Sequence, residues 1–443
     1  MQKMKLEDLR NKIDKNMVYY QTLLKKVIKI PSVKGEPLAQ APFGKQPRKV
    51  LQQVLIIAEQ LGLKTKQLND QVGWAELTGE SVDYVAALGH LDVVAAPAQG
   101  WKTDPFDLAI KDDYMYGRGV LDNKGPIMGA LFALALLKEE GFKPKQSIRV
   151  IFGTDEESGS RDMKTYNLSE NPPIAGFTPD GKYPVVYAER GMLGLSLTTD
   201  ISDNSDVNLS EVSGDFSASY IPDKAKIKFS SGEIKDYFGK KSPSNAPDLG
   251  ENALLKLAVE QQSLSGQLGE VMNWLYRATA DTSGKKINIS FTGKSSGKLQ
   301  CSVYGMLFSK HQSKICFSIR YPIELTKQKL LDRLKKQMPS ESQLTIVREV
   351  APLYHSPNML MIKIMQQVYE DVTGQDGSPV TTTGITYARF LSNIVAFGPS
   401  FPGQRGIAHK ENEWLKTSDW KKIITMEYLT LRALAEREDK DFY

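Results

Sequence analysis

Gly153-Thr154-Asp155-Glu156-Glu157-Ser158-Gly159 follows an apolar run from Ser147 to Phe152 and sets two adjacent carboxylates at the end of that run. A short apolar run closed by glycine reads as a buried strand. Successive side chains diverge at a strand end, so one carboxylate can bind a metal while its neighbour faces a substrate and moves protons. A solvated acidic loop has the same sequence, because paired glutamates are commonly surface charge. The choice between the two falls to the rest of the chain.

Upstream, Tyr84 to Leu88 is a continuous apolar run of the kind buried on both faces of a sheet, and it delivers Gly89-His90-Leu91-Asp92-Val93-Val94. A neutral imidazole ligates a metal through one nitrogen when its other N–H is held, and Asp92 is spaced to hold it. A hydrogen-bonded histidine at a strand end is the alternative. Next comes Tyr116-Gly117-Arg118-Gly119-Val120-Leu121-Asp122-Asn123-Lys124-Gly125-Pro126, ahead of an apolar helix from Ile127 to Lys138. The glycines and Pro126 allow a tight approach to the helix start. Asp122 reads as a helix cap or, if Asn123 or Gly125 caps instead, as a free carboxylate. Downstream, Ile174 to Phe177 is a short strand ending at Thr178-Pro179-Asp180. Three strands therefore present an acid or histidine at their carboxyl ends, where open α/β sheets build sites.

Composition bounds the partners. The 443 residues are 41% apolar and 25% charged, which is ordinary for a globular chain long enough for two domains. No apolar run approaches the ~20 residues of a membrane span, and Met1 to Glu7 contains no secretory apolar stretch, so the expectation is a cytoplasmic protein. The net charge of +5 is spread over 57 basic and 52 acidic residues without a basic block, which argues against nucleic acid. Cys301 and Cys316 fit a reducing compartment and lack metal-ligand spacing. Among the four histidines, His311 and His355 have no motif partners and read as structural.

Helical spacing marks Leu6 to Ile30, Pro47 to Leu61 and Asp419 to Glu436, and Val72 to Leu77 reads as a strand. From Gly194 to Glu349 the chain turns to short alternating strands such as Ile287 to Phe291 and Ile315 to Ile319, with helical patterns at Ala253 to Ser263 and Lys327 to Gln337. The expectation is a discontinuous first domain, residues 1–193 and 350–443, with an inserted α/β domain at 194–349.

These phrases, together with Phe397-Gly398-Pro399, Phe401-Pro402-Gly403 and Ala408-His409-Lys410-Glu411-Asn412-Glu413, resemble the co-catalytic zinc peptidases of family M20, and within it the bacterial PepV-type dipeptidases. The resemblance implies a zinc-peptidase-like catalytic domain with a central mixed sheet, and a ferredoxin-like, here enlarged, lid domain. It implies that His90 and Asp180 hold one metal, that Glu157 and His409 hold another, that Asp122 bridges them and that Glu156 is the general base. Asp92 would orient His90, and the Asp122–Asn123 peptide would be cis. Nitrogen and oxygen donors suit zinc, with cobalt or manganese also fitting. Two such ions roughly 3.5–4 Å apart can share a hydroxide whose pKa lies near ~7. Arg320, in Ser318-Ile319-Arg320-Tyr321-Pro322, would grip the carboxylate of a short peptide substrate.

The sequence also departs from the family. Pro243 stands where a lid histidine is common and Ser219 where an asparagine is, leaving Lys240, Lys241 or Asn245 as replacements. Thr383 and Ile385 replace glycines in Thr383-Gly384-Ile385-Thr386-Tyr387-Ala388-Arg389. The implied activity is hydrolysis of dipeptides or very short peptides by a monomer rather than a dimer. N-acyl amino acid deacylation by the same machinery is one alternative. A metal-bearing binding protein with impaired catalysis is the other.

Overall fold

A computed structural model describes residues 5–97, 99–202, 208–309 and 311–442. Contacts divide the chain into two compact units, Met1–Tyr187 with His355–Val380 and Ile385–Tyr443, and Ala188–Tyr354 with Thr381–Gly384. The sequence reading gave the second unit residues 194–349, a few residues short at each end, and left Thr381–Gly384 with the first. Strand Gly191–Asp200 pairs along its whole length with Gln312–Tyr321 and, through Met192↔Val350, with the end of Ser342–Val350, so its flanks belong to the second unit.

In the first unit, helices α1 (Leu6–Ile28) and α2 (Lys45–Gln60) precede strands β1 (Lys64–Leu68), β2 (Val72–Leu77) and β3 (Ser81–His90). Helix α3 (Lys124–Glu139), strand β4 (Gln146–Gly153), helix α4 (Arg161–Ser169) and strands β5 (Ala175–Thr178) and β6 (Val186–Glu189) follow. After the second unit come helix α5 (Leu360–Thr373), strand β7 (Ile394–Ala396) and helix α6 (Thr417–Ala435). The sheet order is β1-β2-β4-β3-β5-β7-β6. Strand β3 runs parallel to β4 and β5, and β5 parallel to β7, whereas β1, β2 and β6 join antiparallel. The pairing His90↔Gly153 ends β3 and β4 at the same level, and Thr178↔Ala396 does the same for β5 and β7. Four parallel strands thus end at one edge.

Helix α3 is apolar on nearly every face, so it has to be buried all round. Every residue from Ile127 to Leu134 is buried. Phe132 stacks on Tyr20 of α1 and packs edge-on against Trp420 of α6, whose indole N–H donates to the Gly125 carbonyl at 2.9 Å. A fixed α3 fixes the loop before it, which carries Asp122.

The second unit has its own core around Leu193, Trp274, Phe317 and Ile319. Its antiparallel sheet runs 234–238, 224–229, 209–213, 300–309, 312–321, 191–200, 342–350, with helices Ala253–Glu260, Gly266–Thr279 and Lys327–Lys335. This exceeds a minimal unit of about four strands and two helices. One expected strand is corrected: Lys285–Ile287 is a 3₁₀ turn, and the left-handed Asn288 breaks the extended run from Ile287 to Phe291. The helices Gly266–Thr279 and Leu360–Thr373 were not anticipated.

Candidate metal centre

The carboxyl edge of the parallel strands brings the candidate residues together. His90 closes β3 and is fully buried. Its Nδ1 lies 3.0 Å from the carbonyl oxygen of Asp92, an atom that only accepts, so Nδ1 carries the proton and Nε2 has a lone pair in the neutral ring. That Nε2 faces Asp122 Oδ1 at 3.1 Å and Asp180 Oδ1 at 3.7 Å. The other oxygen of Asp122, Oδ2, lies 3.1 Å from His409 Nε2, which is 2.9 Å from Glu157 Oε1. Two donor groups result, His90-Asp122-Asp180 and Asp122-Glu157-His409, with Asp122 common to both.

The electrostatics ask for positive charge at both nitrogens. Burial opposes a charged His90, yet the Asp180 carboxylate and hydrogen bonds to Asp122, Asp180 and Asp92 carry its pKa well above the usual imidazole range. Burial likewise opposes charge on His409, while Glu157 and Asp122 push it up to about 12. Burial also works against the charge of Asp122, but hydrogen bonds with His409 and His90 hold it well below the usual carboxylate range. Burial, and then Asp180, pushes Glu156 up; burial, and then Asp122, pushes Glu157 up. A buried site with this many carboxylates needs a compensating cation. A lone pair on His90 Nε2 and carboxylate oxygens on the same side form a nitrogen–oxygen donor set that fits divalent metal.

Asp92 does more than the sequence reading gave it. Its carboxylate stands 3.5 Å from His90 Nδ1, farther than its own carbonyl, and accepts the amide N–H groups of Glu156 at 3.1 Å and Glu157 at 3.0 Å. The carboxylate therefore orders the acidic loop from behind. Asp155 turns away from the donors into a pair with Arg161, both contacts at 2.7 Å. Among the described residues the Glu156 carboxylate accepts no hydrogen bond.

Three supporting residues escaped the sequence reading. Asn123 accepts the His90 amide at 3.3 Å and donates to the Pro179 carbonyl, tying two strand ends together. A side chain at Gly89 would collide with Asn123 and Ile127, so the glycine permits that approach. Glu413, fully buried, accepts from Arg118 at 2.7 Å and from the amides of Gly119, Leu121 and Asp122 at 3.1, 2.9 and 3.1 Å. Asp162 accepts the amides of Thr154 and Asp155 at 2.6 and 3.2 Å. Glu413 sits in a phrase the sequence reading singled out, four residues after His409; Asp162 had no comparable signal. The Asp122–Asn123 peptide is cis.

The remaining candidates lie elsewhere. In the second unit, Arg320 donates through Nη1 to the Thr383 carbonyl. Pro243 pairs with Tyr220 on a two-stranded ribbon where the Ser244 amide donates to the Ser219 carbonyl at 2.9 Å, so the two departing positions are neighbours. The Lys241 ammonium lies 4.7 Å from the centre of the Tyr220 ring. His311 is exposed, His355 is partly buried, and neither belongs to the donor groups.

Residues 86–433 match the model of peptidase family M20/M25/M40. The putative dipeptidase YtjP of Bacillus subtilis is 30% identical over 429 residues, 88% of this chain and 92% of that protein. The putative dipeptidase SH1171 of Staphylococcus haemolyticus is 27% identical with the same coverage. Human carnosine dipeptidase 1 has a TM-score of 0.62 at 16% identity, covering 98% of this chain and 100% of that one. The dipeptidase Dug1p of Saccharomyces cerevisiae has a TM-score of 0.61 at 18% identity, with 98% and 99% covered. At these identities the two solved structures bear on the fold alone.

Proposed function

The chain belongs to peptidase family M20/M25/M40 and is a metallopeptidase; from that premise we propose that it hydrolyses the amide bond of dipeptides or very short peptides with a free C-terminus. The observation that carries the reading is the division of Asp122, whose two oxygens each lie 3.1 Å from a different histidine Nε2, each histidine backed by a second carboxylate. One carboxylate shared between two donor groups suits a pair of ions.

In this reading His90 and Asp180 hold one divalent ion, Glu157 and His409 hold the other, and Asp122 serves both. Zinc fits the donors, with cobalt and manganese as alternatives. When bound, such a pair supplies Lewis acidity, which makes water acidic enough to lose a proton near neutral pH and polarises the scissile carbonyl. Glu156 takes that proton on its carboxylate and returns it to the nitrogen of the leaving amine, so that water and amide become a carboxylic acid and an amine. Asp92 keeps Glu156 and Glu157 in register by holding both amides. Arg320 is assigned to the substrate's terminal carboxylate, which its planar fork can meet with two parallel hydrogen bonds.

The test is hydrolysis of a dipeptide panel, beside N-acetyl and N-succinyl amino acids, after loading with zinc, cobalt or manganese. Wild type is compared with Glu156→Ala at matched metal content. Dipeptide turnover by wild type, with an inactive variant that retains its metal, is expected. Preference for the N-acyl substrates would move the reading to a deacylase, and two bound metals with no turnover of either class would overturn it.

A further inference from the structure

Tyr387 has no place in the chemistry above, yet it touches the site's supports at two points. It opens the 3₁₀ turn Tyr387–Arg389, whose preceding residue Thr386 accepts the Ala388 amide on its hydroxyl at 3.2 Å. The side chain is fully buried. Its ring packs edge-on against the His90 imidazole, centroids 6.1 Å apart at 90°. Its hydroxyl donates to Asp162 Oδ2 at 2.6 Å, the same oxygen that accepts the amides of Thr154 and Asp155. Asp162 Oδ1 is occupied by the Met163 amide at 2.9 Å.

Four consecutive amides, Thr154 to Glu157, therefore point at two buried carboxylates, the first two at Asp162 and the last two at Asp92. Asp92 is in contact with His90, and Tyr387 reaches both His90 and Asp162. Gly153, where β4 hands over to the loop, has no side chain because one would collide with the Tyr387 hydroxyl and Asp162 Oδ2. The sequence at that strand end thus makes room for the Tyr387–Asp162 hydrogen bond.

We propose that Tyr387 is a positioning residue: its ring holds the plane of the His90 imidazole while its hydroxyl, through Asp162, holds the loop that presents Glu156 and Glu157. The inference rests on the metal-centre reading above. Supports of this kind act on metal affinity and on kcat, because they set donor geometry rather than substrate contacts.

The test uses the full chain, stripped with chelator and titrated with zinc by calorimetry, then assayed on a dipeptide. Y387F keeps the ring and removes the hydroxyl, D162N keeps the size and removes the charge, and the double variant joins them. Y387F is expected to bind zinc about 10–100-fold more weakly and to lose kcat to a similar degree, with KM within about two-fold of wild type. The double variant should lose no more than the worse single one, since both act through one bond. Y387F with wild-type zinc affinity and kcat would overturn the proposal, as would a loss confined to KM or to the melting temperature of the stripped protein. Wild type that takes up no zinc would instead fell the metal-centre reading and this inference with it, so the two failures are distinct.

Discussion

Three consecutive carboxylates, Asp155, Glu156 and Glu157, do different work because of what surrounds them. Asp155 is consumed by Arg161 and by its own loop, whereas Glu157 faces His409 and Glu156 is left without a hydrogen-bond donor among the described residues. Removing Glu156 should therefore cost turnover without costing metal: Glu156→Ala is expected to lower kcat by about 10²–10⁴, the usual range for a general base, with metal content by elemental analysis unchanged. Arg320→Ala should separate binding from chemistry, raising KM for dipeptides more than it lowers kcat; an equal fall in kcat alone would place Arg320 outside the substrate contacts. Glu413 lies in a phrase the sequence singled out, but its role there was not legible. Its carboxylate neutralises the buried Arg118 and holds three amides of the loop carrying Asp122. Glu413→Ala leaves Arg118 buried and unpaired, a loss of about 3–5 kcal/mol expected in urea unfolding. Residue types and their order along the chain announced the donors. They did not announce Asn123, Asp162 or Glu413 as supports, since a side-chain hydrogen bond to a backbone group, whether 7 positions away for Asp162 or 294 for Glu413, depends on the fold and leaves no pattern of residue types.

At the scale of elements, period and punctuation located most helices and strands of the first unit. The run from Val72 to Leu77 has the bounds expected, and Ser147 to Phe152 lies within β4. Leu360–Thr373 was overlooked although its buried positions, Met361, Ile362, Met365, Val368, Tyr369 and Val372, recur at helical spacing. Ile287 to Phe291 looked like a strand because alternation alone does not register a left-handed asparagine. Helix α6 carries a feature that burial alone explains: Glu427 is fully enclosed and neither carboxylate oxygen has a hydrogen-bond partner among the described residues. Burial pushes its pKa well above the carboxylate range. The folded chain then holds a proton that the unfolded chain releases above about pH 4.3, so this group's stabilising contribution is complete below that pH and declines as pH rises towards the folded pKa, by ~1.4 kcal/mol per unit. E427Q, which cannot ionise, should flatten this decline. Urea midpoints of wild type and variant at pH 5 and pH 8 check it, and parallel pH dependences would refute it.

For the whole molecule, the donors come from five separate stretches: the ends of β3 and β5, the loop before α3, the turn after β4 and the segment after β7. His409 and Glu157 meet across 252 positions of sequence. A cation bound there stabilises only the folded chain, so chelation should lower the melting temperature and zinc at about 100 times its dissociation constant should return roughly 2.7 kcal/mol. That gain should grow as pH rises through the neutral range, because both histidines, whose pKa values, despite burial, the neighbouring carboxylates raise in the stripped site, must shed a proton to bind metal, and scanning calorimetry with chelator and with zinc across pH would register it. The sequence by itself determined the α/β class, the family and the candidate donor residues, because those depend on side-chain chemistry and on the short-range periodicity of strands and helices. Only the tertiary structure decided that Asp122 divides its oxygens between two histidines, that Asp92 and Asp162 hold four successive amides, and that Asn123 joins two strand ends. Those relations are set by the parallel register of β3, β4, β5 and β7, and register arises from long-range packing that no window of sequence contains.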